Sequence, residues 1–173
     1  EAIHIGQHLG HRRVQRGGDG LVKLGVQPKE MVSIMSNTRI EWVQADLGIL
    51  GAGATTVPIY QSSLADDAQY ILNDSGAVVV FVEDEAQLKK MREIRAQLPK
   101  VGKVIAFTGT TQGDWELSWA DFLKEGEAHY RDNAASVASR AATLAPDDVL
   151  TLIYTSGTTG RPKGAIITHD NML

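Results

Sequence analysis

Residues 31–60, MVSIMSNTRIEWVQADLGILGAGATTVPIY, decide the reading of the fold. Met31–Ser36 is short, apolar and bounded by Lys29-Glu30 and Asn37, the pattern of a buried strand. Asn37 or Thr38 is placed to cap a following helix, with Glu41 in its first turn, where the helix dipole favours an anion. Ile40, Val43, Leu47, Leu50 and Ala54 recur at a 3-4-3-4 spacing, which predicts that they form the buried stripe of that helix. Gly51 and Gly53 loosen its end before a second strand, Thr55–Tyr60. Strand, helix and strand in this order predict a βαβ unit, and therefore parallel pairing.

Working toward the carboxyl terminus, the alternation continues. Ser63-x-x-Asp66 has the form of a capping box, with Asp67 a second anion, and Leu64, Ala68, Ile71 and Leu72 make the predicted stripe. Asn73-Asp74-Ser75-Gly76 ends that helix. Ala77–Val82 is apolar throughout, as a strand covered on both faces must be. The segment from Glu85 to Leu98 turns Leu88, Met91, Ile94 and Leu98 inward, with Glu85 and Lys89 paired outside, and Pro99 stops it. Lys103–Thr108 reads as a strand, Trp119–Gly126 as a helix capped by Ser118, and Ala134–Ala142 as a further helix or a mobile stretch. Val149–Tyr154 and Ala165–Thr168 are the last strand-like runs. The class is α/β, a mostly parallel sheet with helices on both faces.

Toward the amino terminus the pattern fades. Residues 1–20 show no clean period, and Gly17-Gly18-Asp19-Gly20 reads as a breaker. His4 and His8 stand four apart with His11 near, but no further ligand or rigid helix is evident, so a solvated segment is preferred to a metal site. The regular part is thus residues 21–173. The 173 residues contain no cysteine, which excludes a disulfide scaffold and a thiolate metal site and suits a reducing cytoplasm. A net charge of −4 gives no reason to expect nucleic acid as partner. No apolar run approaches the roughly 20 residues of a transmembrane helix, which leaves peripheral membrane contact open.

The chemistry is concentrated after the Val149–Tyr154 strand, in Thr155-Ser156-Gly157-Thr158-Thr159-Gly160-Arg161-Pro162-Lys163-Gly164. Its glycines permit close approach of backbone to a ligand. Hydroxyls and free N–H groups supply short donors, and Lys163 supplies a cation, which together suit polyphosphate. The spacing is not that of the Walker A loop. Five places after Gly157 stands Pro162, and Gly164 follows the lysine. Gly51-Ala52-Gly53 fails the dinucleotide fingerprint as well, because position 56 is Thr.

Tyr154–Gly164, YTSGTTGRPKG, resembles the signature loop of the adenylate-forming enzymes, which include acyl-CoA synthetases, aryl-CoA ligases, luciferases and peptide-synthetase adenylation domains. Val32–Trp42, Val57–Ser63, Leu64–Glu83 and Ser118–Leu123 are similar to the amino-terminal region of long-chain fatty acyl-CoA synthetases within that family. The resemblance covers about residues 21 to 173 and implies part of a large AMP-binding domain. It implies ATP, Mg²⁺ and coenzyme A, a fatty acid as substrate, and an acyl-adenylate intermediate formed with loss of pyrophosphate. By the same resemblance Thr155, Ser156, Gly157, Thr158, Thr159, Gly160 and Lys163 would contact the β- and γ-phosphates, with Lys163 stabilising the departing charge. No metal ligand is carried over.

Other readings stay beside this one. A non-catalytic α/β module holding phosphate or nucleotide has the same loop, as does a ligase for another carboxylate. Asn73-Asp74-Ser75 fits a glycosylation pattern without a secretory signal to support it. Trp42, Trp115 and Trp119 are read as packing residues. His169 and Asp170 could border the nucleotide site, although capping of a next helix by Asp170 or Asn171 is the preferred role. The missing initial Met and the helix that Asp170-Asn171 would open lead us to expect a piece of a larger enzyme.

Overall fold

The computed structural model describes residues 2–155 and 161–172, with side chains from Gly10 onward. In chain order the elements are α1 (Ala2–Lys23), β1 (Met31–Met35), α2 (Ile40–Gly51), β2 (Thr55–Ile59), α3 (Ala65–Ser75), β3 (Val79–Val82) and α4 (Glu85–Ile94). There follow β4 (Lys103–Ala106), β5 (Glu116–Ser118), α5 (Trp119–Asp132), α6 (Ser136–Ala141), β6 (Val149–Thr155) and β7 (Lys163–Thr168). The strands form one sheet in the order β5-β4-β3-β1-β2-β6-β7. All pairs are parallel except β6 with β7. The mostly parallel α/β fold expected from the alternation is present.

The middle strands carry apolar side chains on both faces, and each face has its own cover. Val80, Val82 and Val104 pack with Ile71 and Leu72 of α3 and with Leu88 and Met91 of α4. Val32, Ile34, Phe81 and Ile105 pack on the opposite side with Leu21 of α1, Ala45 and Ile49 of α2, and Phe122 of α5. Phe81 and Phe122 meet edge to face at 5.4 Å. In α4 the expected residues Leu88, Met91 and Ile94 are buried, and so is Leu98 beyond its end. Asp84 caps this helix, its carboxylate accepting from the N–H groups of Ala86 and Gln87.

The first twenty residues correct the sequence reading. Instead of a breaker, Gly17-Gly18-Asp19-Gly20 lies within α1. The glycines are there because backbones touch. A Cβ at Gly48 of α2 would stand 3.1 Å from the Gly18 nitrogen, and one at Gly20 would stand 2.6 Å from the Phe122 ring. A Cβ at Gly126 of α5 would collide with the Arg16 carbonyl. Asp19 between them is 1% exposed, and its carboxylate joins α1 to His129 of α5 and Ser136 of α6, each at 2.8 Å. The side chains of His4 and His8 lie outside the described residues.

The face of α2 is a second correction. Ile40, Val43 and Leu47 are exposed, at 61%, 40% and 46%, while Gln44, Ala45, Gly48 and Ile49 are buried. Helix α1 seats on the small residues, so close approach overrides the apolar period. Neither Asn37 nor Thr38 caps α2; Arg39 occupies that position and makes no side-chain cap bond. Ser63 does not cap α3 either, where Leu64 stands at the cap, 70% exposed. Gly76 does end α3, in the left-handed conformation. Glu85 pairs with Arg92 rather than Lys89. Arg92 also grips the nearly buried Glu116 through two bonds of 2.8 Å, which ties α4 to the three-residue strand β5 that the sequence pattern did not reveal. Ser118 caps α5 as expected, its oxygen accepting from the Asp121 N–H.

The glycine seam generates a paired expectation. Gly126→Ala should destabilise the chain by about 1–3 kcal/mol through overpacking. Gly10→Ala, with nothing within 4 Å of its Cβ, should stabilise it by about 0.5–1 kcal/mol through helix propensity. Thermal unfolding monitored by circular dichroism should therefore move in opposite directions; equal shifts would mean that α1 and α5 do not touch through Gly126.

Candidate functional site

Because β6 runs parallel to β2, its carboxyl end emerges at the same sheet edge as those of β1, β2 and β3. Ligands of open α/β sheets bind at this edge. The chain then returns antiparallel in β7, with Tyr154 opposite Gly164 and Thr155 opposite Lys163. Thr155 and Lys163 thus share one face at the loop end of the hairpin, both exposed. Of the other residues expected at the site, Ser156, Gly157, Thr158, Thr159 and Gly160 lie outside the described residues. His169 and Asp170 do not border this end. Their N–H groups donate to the carbonyls of Asp148 and Pro146, at the amino end of β6. A short 3₁₀ turn, His169–Met172, stands there, and the Asn171 side chain accepts from the Thr168 N–H.

A cleft of about 420 Å³ opens at the carboxyl edge, lined among others by Asn37, Trp42, Pro58, Gln61, Ile153 and Tyr154. A hollow of about 520 Å³ between α1 and α5 contains no hairpin residue and has no part in the site. The cleft is shaped by a polar tie across three strand ends. Glu83 after β3 accepts from the Asn37 backbone at 2.8 Å and from its side chain at 3.1 Å. Gln61 after β2 donates to the Asn37 side-chain oxygen at 3.1 Å. Asn37, read from sequence as a helix cap, instead fixes the loops that border the cleft. Trp42 is half-buried in its wall, whereas Trp115 and Trp119 are buried packing residues.

The back of the hairpin is held by α3. The Tyr154 hydroxyl donates to Asp74 at 2.7 Å, and the Arg161 guanidinium lies over the Tyr70 ring at 5.1 Å. Sequence reasoning gave neither α3 residue a part in the site, because Asp74 reads locally as a helix end and Tyr70 falls outside the predicted stripe. Burial pushes the Tyr154 phenol above its ordinary value, and the Asp74 carboxylate acts in the same direction.

Among the described residues no group of three or more His, Asp or Glu side chains is placed to hold a metal ion. No helix among them is long and apolar enough to cross a membrane.

A family described as AMP-binding enzyme matches residues 10–173. The chain is 42% identical over 154 residues to a long-chain-fatty-acid–CoA ligase, FadD15, of Mycobacterium bovis, covering 89% of this chain and 24% of that protein. It is 32% identical to the long-chain-fatty-acid–CoA ligase ACSBG2 of Xenopus laevis, covering 88% of this chain and 21% of that one. It therefore spans about a quarter of the length of these relatives. Among solved structures, an anthranilate CoA ligase holding anthranoyl-AMP is similar at a TM-score of 0.79 and 29% identity, over 92% of this chain and 29% of that one. A fatty acyl CoA synthetase of Mycobacterium tuberculosis is similar at 0.71 and 27%, over 94% and 28%.

The Tyr154 environment has a measurable consequence. The folded chain holds the phenolic proton more tightly than the unfolded chain. This contribution to stability is present below about pH 10 and is lost as pH rises beyond it. In a spectrophotometric titration to pH 11, Tyr154→Phe should leave the phenolate signal unchanged from wild type. A smaller signal in the variant would show that Tyr154 ionises like an exposed tyrosine.

Proposed function

The chain belongs to the AMP-binding enzyme family, and on that premise we propose that it is the amino-terminal part of an ATP-dependent long-chain fatty acid–CoA ligase. In the proposed reaction a carboxylate oxygen attacks the α-phosphorus of ATP, the bond to the bridging oxygen breaks, and pyrophosphate leaves. The thiol of coenzyme A then attacks the acyl carbon and releases AMP. The similarity to long-chain ligases supports the fatty acid. The family name supports an adenine nucleotide, which we take to be ATP.

One observation carries the reading: the hairpin register sets Lys163 opposite Thr155 at the carboxyl edge of the sheet. An exposed ammonium and a hydroxyl on one face are the donors that phosphate oxygens require. Negative charge grows on pyrophosphate as it departs, so a fixed cation there lowers the barrier by electrostatics and not by proton transfer. Ser156, Gly157, Thr158, Thr159 and Gly160 would add hydroxyl and backbone donors. Mg²⁺, when bound with the nucleotide, would neutralise further phosphate charge. We place the enzyme in the cytoplasm, consistent with the absence of cysteine. A second reading, a ligase for another carboxylate, is favoured by the likeness to the anthranilate enzyme.

In the full-length protein, Lys163→Ala should slow ATP–pyrophosphate exchange with palmitate about a hundredfold or more. An unchanged rate would make the loop structural and sink the proposal. Exchange supported by an aromatic acid but not by palmitate would select the second reading. The 173-residue chain alone should show no exchange, and robust exchange by it would refute its assignment as one part of the site.

A further inference from the structure

Nothing in the proposed reaction accounts for the two contacts that α3 makes behind the hairpin. Tyr70 and Asp74 are four residues apart, one above the other on a single helix face. Asp74 receives the hydroxyl of Tyr154, the residue just before Thr155, at 2.7 Å. Tyr70 lies under the guanidinium of Arg161, on the returning side of the loop, at 5.1 Å. One helical turn therefore holds both flanks of the Thr155–Lys163 segment.

The packing of Tyr154 supports the same grip. A Cβ at Gly164 would stand 3.2 Å from Tyr154 Cζ and 3.3 Å from its Cε2, so the ring lies across the partner strand, and a larger residue there would press it by a few tenths of an ångström. Alternation along the strands puts Tyr154 and Gly164 on the α3 side of the hairpin and Thr155 and Lys163 on the other. Leu152 and Tyr154 pack against the core covered by α3 and α4, consistent with this assignment. The anchors therefore occupy the back face and leave the phosphate-facing side chains free.

We propose that Asp74 and Tyr70 are positioning residues for ATP, holding the two flanks of the loop so that Thr155 and Lys163 meet the pyrophosphate oxygens in a fixed register. The inference rests on the proposed phosphate role of the loop. With its flanks held, Thr155 and Lys163 stand in a fixed register when the nucleotide binds, and the cation is already where charge develops. Neither α3 residue touches substrate. Asp74 acts through Tyr154, and Tyr70 acts through Arg161.

The test uses the full-length protein and ATP–pyrophosphate exchange at varied ATP and varied palmitate. Asp74→Ala, Tyr154→Phe and Tyr70→Leu should each raise KM for ATP and lower kcat, with kcat/KM for ATP falling on the order of ten- to a hundredfold. KM for palmitate should stay within about twofold. Asp74→Asn, whose amide oxygen still accepts the phenol, and Tyr70→Phe, which keeps the ring, should restore ATP kinetics. Asp74→Ala combined with Tyr154→Phe should be no worse than either alone, because both remove one bond. A purely structural role would lower Tm and the active fraction while leaving KM for ATP unchanged, and that result overturns the proposal. Lys163→Ala in the same assay separates the two levels. If it is silent, the phosphate reading fails and takes this inference with it. If it is severe while the α3 variants keep wild-type ATP kinetics, only the positioning role fails.

Discussion

Strand β1 has no water on either side. It lies between β2 and β3, its side chains alternate between two apolar cores, and four of its five residues are buried. A strand in that position must be covered twice, and much of the fold answers to this constraint. On one face the cover is ordinary, with α3 and α4 presenting apolar stripes. On the other, α1, α2 and α5 converge, and three helices near one small area of sheet must approach closely. Glycines at 17, 18, 20, 48 and 126 are the response, since a methyl group at several of these positions would meet backbone or ring atoms. Asp19 is buried within the same seam and is matched to His129 and Ser136, which satisfies one carboxylate oxygen where water has been displaced.

The parallel arrangement also decides where chemistry can be placed. Parallel strands deliver their carboxyl ends to one edge, and loops leaving that edge can be tied to one another. Glu83, Asn37 and Gln61 make such a tie across the ends of β3, β1 and β2. The hairpin of β6 and β7 extends the edge, with Thr155 and Lys163 in register on one side and α3 on the other. A cation exposed beside a cleft would be of little use if its backbone wandered. Packing of Tyr154 between Gly164 and Asp74 restrains it.

How much of this was legible depended on whether the signal was local. The apolar runs at Met31, Val79 and Lys103 became strands, and the stripe of α4 was buried as its period required. Helix α2 shows the limit of that logic. Its period is apolar, yet Ile40, Val43 and Leu47 face outward, because periodicity reports that a face is apolar and not which partner will cover it. Strand β5 was invisible for another reason. Three residues carry no period, and it is held through Arg92, more than twenty residues away along the chain. Asn37 and Ser63 looked like caps because their chemistry suits that role, but stronger tertiary partners and the actual chain direction left Arg39 and Leu64 there instead.

The amino-acid sequence by itself determined the α/β class and the parallel sheet and singled out the loop proposed to meet phosphate, because strand burial, helical period and donor-rich glycine loops are written in neighbouring residues. Only the tertiary structure decided that Gly17-Gly18-Asp19-Gly20 is the inside of a helix, that α2 turns its small residues inward, and that Tyr70 and Asp74 stand behind the loop. Each of these depends on atoms far apart in the chain coming within a few ångströms. Close approach of that kind leaves no period in the residues that make it.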